Sequence, residues 1–117
     1  MRDLKVVGVF DDRRVAMAWQ SLLQDPKLRV VDLAKSVGLS ESRLEHLIAE
    51  HVGTTIREAK RRLKIERLHE ARRQLLETTD TILAIRERAG YDYESNFRRD
   101  FKKLFKQSPA AFRRRVE

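Results

Sequence analysis

The side chains best suited to chemistry in this sequence are cations near its end. Residues 98–115 hold eight basic groups against one acidic, a net +7: Arg98, Arg99, Lys102, Lys103, Lys106, Arg113, Arg114 and Arg115. A guanidinium presents a planar fork that donates two parallel hydrogen bonds, which suits a guanine edge or a phosphate. A second basic block, residues 57–73, carries eight basic and three acidic groups, a net +5. Residues 30–56 and 74–97 between them are mildly acidic, at −2 and −3. The chain as a whole has 26 Lys+Arg against 18 Asp+Glu in 117 residues, a net +8, and such a balance points to a polyanionic partner.

Other chemistries find little support. Glu66-x-x-His69 has the spacing of half a di-iron motif, but that centre needs a second copy and two further glutamates from other helices. His46 and His51 stand five apart and fall on different faces of a helix. There is no nucleophile elbow and no glycine-rich phosphate loop. With no cysteine the chain has neither disulfides nor thiolate metal sites, which fits a reducing compartment. No catalytic residue, metal site or cofactor is expected, and the protein is not read as an enzyme. No apolar run reaches the roughly 18–20 residues of a membrane span. Val6–Phe10 is interrupted by Gly8 and is no signal peptide. A cytoplasmic, nucleoid-associated protein is expected.

The elements that must position these cations follow from apolar spacing. Residues 1–10 read as a strand-like or unattached leader. Asp11 or Asp12 caps a first helix whose stripe is Val15, Ala18, Trp19, Leu22 and Leu23, ended by Pro26. This stripe makes Trp19 a core residue. A second helix covers about 30–37, and Gly38 breaks it. Ser40 caps a third helix to about His51 with Leu44, Leu47 and Ile48 buried, and Gly53 stops it. A long helix then runs from Thr54 or Thr55 to about Glu77 with the stripe Ile56, Ala59, Leu63, Leu68, Ala71, Leu75 and Leu76. Asp80 caps a fifth helix to Ala89. Gly90 precedes a sixth, about Glu94 to Phe105, burying Phe97, Phe101 and Leu104, and Ser108-Pro109 opens a last turn or helix with Phe112. The fold class is all-α, with about seven helices.

Two of the corners have helix-turn-helix arithmetic. That motif needs a small residue on its first helix, a left-handed turn residue four positions on, and apolar residues that lock the second helix. Ala34 and Gly38 have this separation, flanked by Leu33, Val37, Leu39, Leu44 and Leu47. Ile85, Ala89, Gly90, Tyr91, Phe97, Phe101 and Leu104 form a second copy 52 residues on (Gly38 to Gly90), its turn one residue longer and Arg86 at the small-residue position. The division is a leader at 1–10, a first helix-turn-helix subdomain at 11–53, a linker helix at 54–78, and a second subdomain with a basic tail at 79–117.

The stretch from about Leu22 to Arg114 resembles the DNA-binding domain of the AraC/XylS family of bacterial transcription regulators. Ile65-Glu66-Arg67-Leu68-x-x-Ala71-Arg72-x-x-Leu75 looks like its linker-helix signature. Ile82-x-x-Ile85, Gly90-Tyr91, Ser95-x-Phe97-x-Arg99-x-Phe101-Lys102-Lys103 and Ser108-Pro109-x-x-Phe112-Arg113 look like its second motif. The family usually has Ala where Arg86 stands, Gly where Gln107 stands, and a capping Ser or Thr where Arg29 stands. The resemblance implies two helix-turn-helix subdomains on a long helix, both recognition helices entering the major groove of one duplex. A linker of about 22 residues spans about 33 Å, close to the roughly 34–36 Å between successive major-groove faces.

Opposite the buried stripes lie the expected contact residues. On the third helix Ser42, Arg43, Glu45 and His46 meet bases or phosphates; Glu45 can accept from a cytosine amino group and His46 can donate to guanine. On the sixth helix the set is Glu94, Ser95, Arg98 and Arg99, the two arginines suited to guanine. Lys102, Lys103, Lys106, Arg113, Arg114 and Arg115 are expected on phosphates. The expected function is sequence-specific double-stranded DNA binding that regulates transcription through RNA polymerase. A weakly specific architectural nucleic-acid binder and a protein-interaction module on the same fold are the alternatives. A monomer on DNA is favoured, with the leader's edge or a missing domain as routes to a dimer. The DNA-reading unit nearly fills the 117 residues, so no sensing domain is expected within them.

Overall fold

A computed structural model describes residues 12–116, and among these the chain is helical with seven helices and no strand. They are α1 (Arg13–Gln24), α2 (Val30–Ser36), α3 (Glu41–Val52), α4 (Ile56–Glu77), α5 (Ile82–Arg88), α6 (Glu94–Phe105) and α7 (Pro109–Val116). The all-α expectation holds. The leader at 1–10, with its strand-like reading, lies outside the described residues.

The chain divides into two compact units, Met1–Lys64 and Ile65–Glu117, and passes from one to the other within α4. The first unit's core joins Val15, Ala18, Trp19 and Leu22 of α1, Leu33 and Ala34 of α2, and Leu44, Leu47, Ile48 and Val52 of α3. Ile56, Ala59 and Leu63 of α4 complete it. The second unit's core joins Leu68, Ala71 and Leu75 of α4 to Ile85, Ala89, Phe97, Phe101 and Phe112. Phe101 packs among Phe97, Phe105 and Phe112 at ring-centroid distances of 5.8, 4.6 and 6.0 Å. The Arg72 guanidinium closes this cluster, 5.6 Å from the Phe105 ring centre and 5.2 Å from that of Phe112.

Local chemistry sets the helix starts. Asp12 Oδ1 accepts from Arg14 N–H at 2.9 Å, so Asp12 is the cap of α1. Ser40 Oγ accepts from Arg43 N–H at 3.1 Å, and Ser108 Oγ from Ala111 N–H at 3.1 Å ahead of Pro109. Arg29, as its side chain requires, makes no cap; it reaches forward to Asp32 at 3.1 Å. Three expectations need correction. The cap of α5 is Thr81, whose Oγ1 accepts from Ala84 N–H at 3.1 Å, because Arg88 holds the Asp80 carboxylate at 2.6 Å. Leu76 is 44% exposed: the 100° step from buried Leu75 carries it off the core face, and Leu104 is only half-buried.

Both helix-turn-helix corners use one turn geometry. Leu39 N–H donates to Ala34 C=O and Gly38 N–H to Lys35 C=O; Tyr91 N–H donates to Arg86 C=O and Gly90 N–H to Glu87 C=O. This pairing defines a Schellman turn, and it needs the left-handed backbone found at Gly38 (φ +71°) and Gly90 (φ +85°). Arg86 therefore occupies the position of Ala34. It is half-buried there, and its Nε lies buried without a hydrogen-bond partner.

Lys106, which ends α6, is the one non-glycine residue with positive φ (+68°) among those described. A side chain strains this backbone. Lys106→Gly is expected to raise stability by about 0.5–1 kcal/mol, seen as a higher urea midpoint at unchanged m; a lower midpoint would contradict the strain argument.

Candidate nucleic-acid interface

Each unit presents one helix whose buried stripe dictates its free face. In α3, burial of Leu44, Leu47 and Ile48 leaves Ser42, Arg43, His46 and Ala49 exposed. In α6, burial of Phe97 and Phe101 leaves Glu94, Ser95, Arg98, Arg99 and Lys102 exposed. Matching Leu44 and Ile48 to Phe97 and Phe101 pairs Ser42 with Ser95, Glu45 with Arg98 and His46 with Arg99. The two faces thus have one layout, and that of α6 is the more basic.

The α3 face is partly committed within the protein. Glu45 is half-buried, and its Oε2 accepts a long hydrogen bond from Ile56 N–H at 3.5 Å, at the start of α4. There it meets the positive end of the α4 dipole rather than standing clear of the surface. His46 Nε2 lies 3.7 Å from Glu50 Oε2. Ser42 and Arg43 are exposed.

On α6 the arginines are presented more openly. Arg98 pairs with Glu94 at 3.3 Å, both side chains well exposed. Arg99 Nε donates to Asp100 Oδ1 at 3.1 Å, and Asp100 Oδ2 accepts from Tyr91 O–H at 2.8 Å. Burial, and then the bond to Asp100, holds the Tyr91 phenol well above its usual range, so the hydroxyl remains a donor. Lys102, Lys103, Arg114 and Arg115 are exposed. Lys106 is exposed too, with Nζ donating to Lys103 C=O at 3.3 Å.

Arg113, expected on a phosphate, is engaged within the protein. It is half-buried, and its guanidinium donates to the main-chain carbonyls of Gln74 (3.4 Å), Leu75 (3.5 Å), Thr78 (3.0 Å) and Asp80. Since α4 has no basic residue in its own last turn, Arg113 supplies the cation that its carbonyl end favours.

Sequence reasoning passed over Tyr93 and Asn96 at the edge of the α6 face. Tyr93 is 68% exposed at the start of α6, and Asn96 pairs with Arg43 when the motifs are matched. That internal match was the available signal. His69 of the Glu66-x-x-His69 pair stands edge-on to Phe105 at 5.2 Å. Among the described residues no three His, Cys, Asp or Glu side chains cluster as metal ligands would, and no helix is long and apolar enough to cross a membrane.

The chain belongs to the AraC-type helix-turn-helix domain family: a family model described as a helix-turn-helix domain matches residues 33–115. It is 35% identical over 83 residues to the HTH-type transcriptional regulator GlxA of Rhizobium meliloti, covering 71% of this chain and 25% of that protein. It is 31% identical over 105 residues to the arabinose operon regulatory protein of Escherichia coli, covering 87% of this chain and 35% of that one. The chain thus spans a quarter to about a third of these relatives' lengths. Among solved structures, it resembles the C-terminal domain of AraT, a response regulator from Geobacillus stearothermophilus. The TM-score is 0.62 at 28% identity, covering 88% of this chain and 85% of the other. It also resembles an AraC-type transcriptional regulator from Chromobacterium violaceum, with a TM-score of 0.55 at 25% identity, covering 88% and 91%.

Proposed function

We propose that this chain binds double-stranded DNA sequence-specifically and regulates transcription, with α3 and α6 docked in adjacent major grooves of one duplex. Residues 11–53 and 79–117 act as the two reading subdomains, with 54–78 as their linker. The observation that carries this reading is the α6 face: Ser95, Arg98, Arg99 and Lys102 lie exposed on one side of a helix whose other side is pinned by Phe97 and Phe101. Arg98 and Arg99 read guanines; Lys102, Lys103, Lys106, Arg114 and Arg115 fix register on phosphates. Ser42, Arg43 and His46 on α3 and Ser95 on α6 add weaker readout, while Glu94 pairs with Arg98 and Glu45 turns to the start of α4. The protein acts as a monomer on DNA in the cytoplasm and recruits or obstructs RNA polymerase. No catalytic step is part of this function. The names of the relatives support the reading, since both are regulators.

Selection from random duplexes tests it, with sedimentation at the same salt for stoichiometry. A bipartite motif spanning about two helical turns is expected. No enrichment over bulk DNA overturns sequence-specific reading and leaves the architectural or protein-binding alternative. Arg99→Ala is expected to relax preference at one base position, by about 1–3 kcal/mol of discrimination. Arg114→Ala is expected to weaken all sequences alike and make the log–log salt slope shallower by about one. Identical behaviour of the two variants would refute the division between reading and positioning.

A further inference from the structure

At one core-facing position of the recognition helices a carboxylate in the second unit replaces an apolar residue of the first, and it lies beside the proposed guanine reader. The match of Leu44 and Ile48 to Phe97 and Phe101 sets Asp100 where the first unit has Leu47, a buried core residue. The Asp100 side chain is only 14% exposed while that of Arg99 is 66% exposed. A carboxylate in so sheltered a position is unfavourable unless both oxygens are bonded. Here they are: Oδ2 accepts from Tyr91 O–H at 2.8 Å, and Oδ1 accepts from Arg99 Nε at 3.1 Å. Tyr91 is itself anchored, half-buried in the turn before α6 with its ring centre 5.4 Å from that of Phe97. The carboxylate thus ties an exposed, rotamer-rich arginine to a hydroxyl held by the aromatic core.

We propose that Asp100, held by Tyr91, is a positioning residue that fixes Arg99 for base readout and so sets specificity at one base pair. The bond takes Nε, the guanidinium nitrogen nearest the backbone, so the two terminal nitrogens supply the fork for guanine O6 and N7. An arginine restrained before binding loses less rotamer entropy on docking, and it holds one pose that a wrong base cannot satisfy. Arg98 has no such support: its partner Glu94 is as exposed as Arg98 itself. Asp100 also places a negative charge on a helix meant for a polyanion, so its effect on bulk affinity and its effect on discrimination have opposite signs.

This inference rests on the proposed DNA reading, and the test separates the two. The selected duplex and its single-base-pair variants are titrated with the wild-type chain and with Arg99→Ala, Asp100→Asn and Tyr91→Phe, thermal melting being recorded for each. Arg99→Ala identifies the base pair concerned, where discrimination of about 5- to 150-fold is expected to vanish. Asp100→Asn is expected to lose most of that discrimination at this base pair alone while binding bulk DNA up to about fivefold more tightly. Tyr91→Phe, which keeps the charge, is expected to lose part of the discrimination at the same base pair with bulk affinity unchanged. A residue with a merely structural role would weaken every duplex together. The positioning role is overturned if discrimination in both Asp100→Asn and Tyr91→Phe stays within about twofold of wild type, or if it falls equally at every base pair. Absence of any selective duplex for the wild-type chain overturns the DNA reading and the positioning role with it.

Discussion

Phe101→Ala is expected to unfold the second unit while leaving the first intact. Phe101 is fully buried and central, touching rings from its own helix and from α7. Truncating such a side chain removes its transfer energy and leaves a cavity, together about 3–5 kcal/mol. A unit of this size has only a few kcal/mol of stability in all, at about 0.05–0.15 kcal/mol per residue. The single tryptophan makes the outcome readable, because Trp19 is fully buried in the other core. Far-UV dichroism is expected to show the loss of α5 to α7 without denaturant, while Trp19 emission keeps its buried character until the first unit melts. Specific DNA binding disappears, since the arginine-bearing face has no scaffold. Leu104→Ala, half-buried on the same helix, serves as control at about 1–2 kcal/mol. One coincident transition at the wild-type midpoint would contradict the two-core reading.

Arg113→Ala is expected to cost about 2–3 kcal/mol of stability in the second unit. Four carbonyls at the end of α4 and in the following turn accept from this guanidinium. Hydrogen bonds to a charged donor contribute about 1.5–3 kcal/mol, and a partly buried cation at a helix C-terminus up to about 2. These overlap, since the carbonyls concerned are the dipole's own end, so they do not add. Arg113→Lys keeps the charge and loses the fork, and it is expected to recover less than half. Arg114→Ala next door should fall within about 0.5 kcal/mol of wild type. The DNA readout reverses the order: below its melting temperature Arg113→Ala keeps the wild-type salt slope, whereas Arg114→Ala does not. Equal stabilities for the two alanine variants would rule out the brace, and a shallower slope for Arg113→Ala would return it to the phosphate set.

Where the sequence was legible, the signal was local. Stripes at three- and four-residue spacing located the first six helices within a residue or two at most ends and left the seventh as a turn or helix, because helical periodicity and the core face are the same geometry. Gly38 and Gly90 marked both turns, because left-handed backbone at a Schellman turn is strained for other residues. The errors came where neighbours competed. Asp80 and Thr81 are both good caps, and Arg88, eight residues from Asp80, decided between them. Leu75 and Leu76 are equally apolar, and only one can face the core.

The amino-acid sequence by itself determined the helices, the two turns, and the concentration of positive charge on the second recognition helix and tail, since each depends on residues a few positions apart. Only the tertiary structure showed which individual cations are held, and by what. Arg113, Arg114 and Arg115 form one run of like charge, yet α7 packs so that the first reaches carbonyls 33 to 39 residues away while the other two stay in solvent. The family motif singles out Arg99 from Arg98, but only the fold shows the Tyr91 hydroxyl and the Asp100 carboxylate brought together beside it. The physical reason is common to both cases. A long cationic side chain has one fixed pose only where something holds its end, and the groups that do so are assembled by packing between helices rather than by periodicity along one.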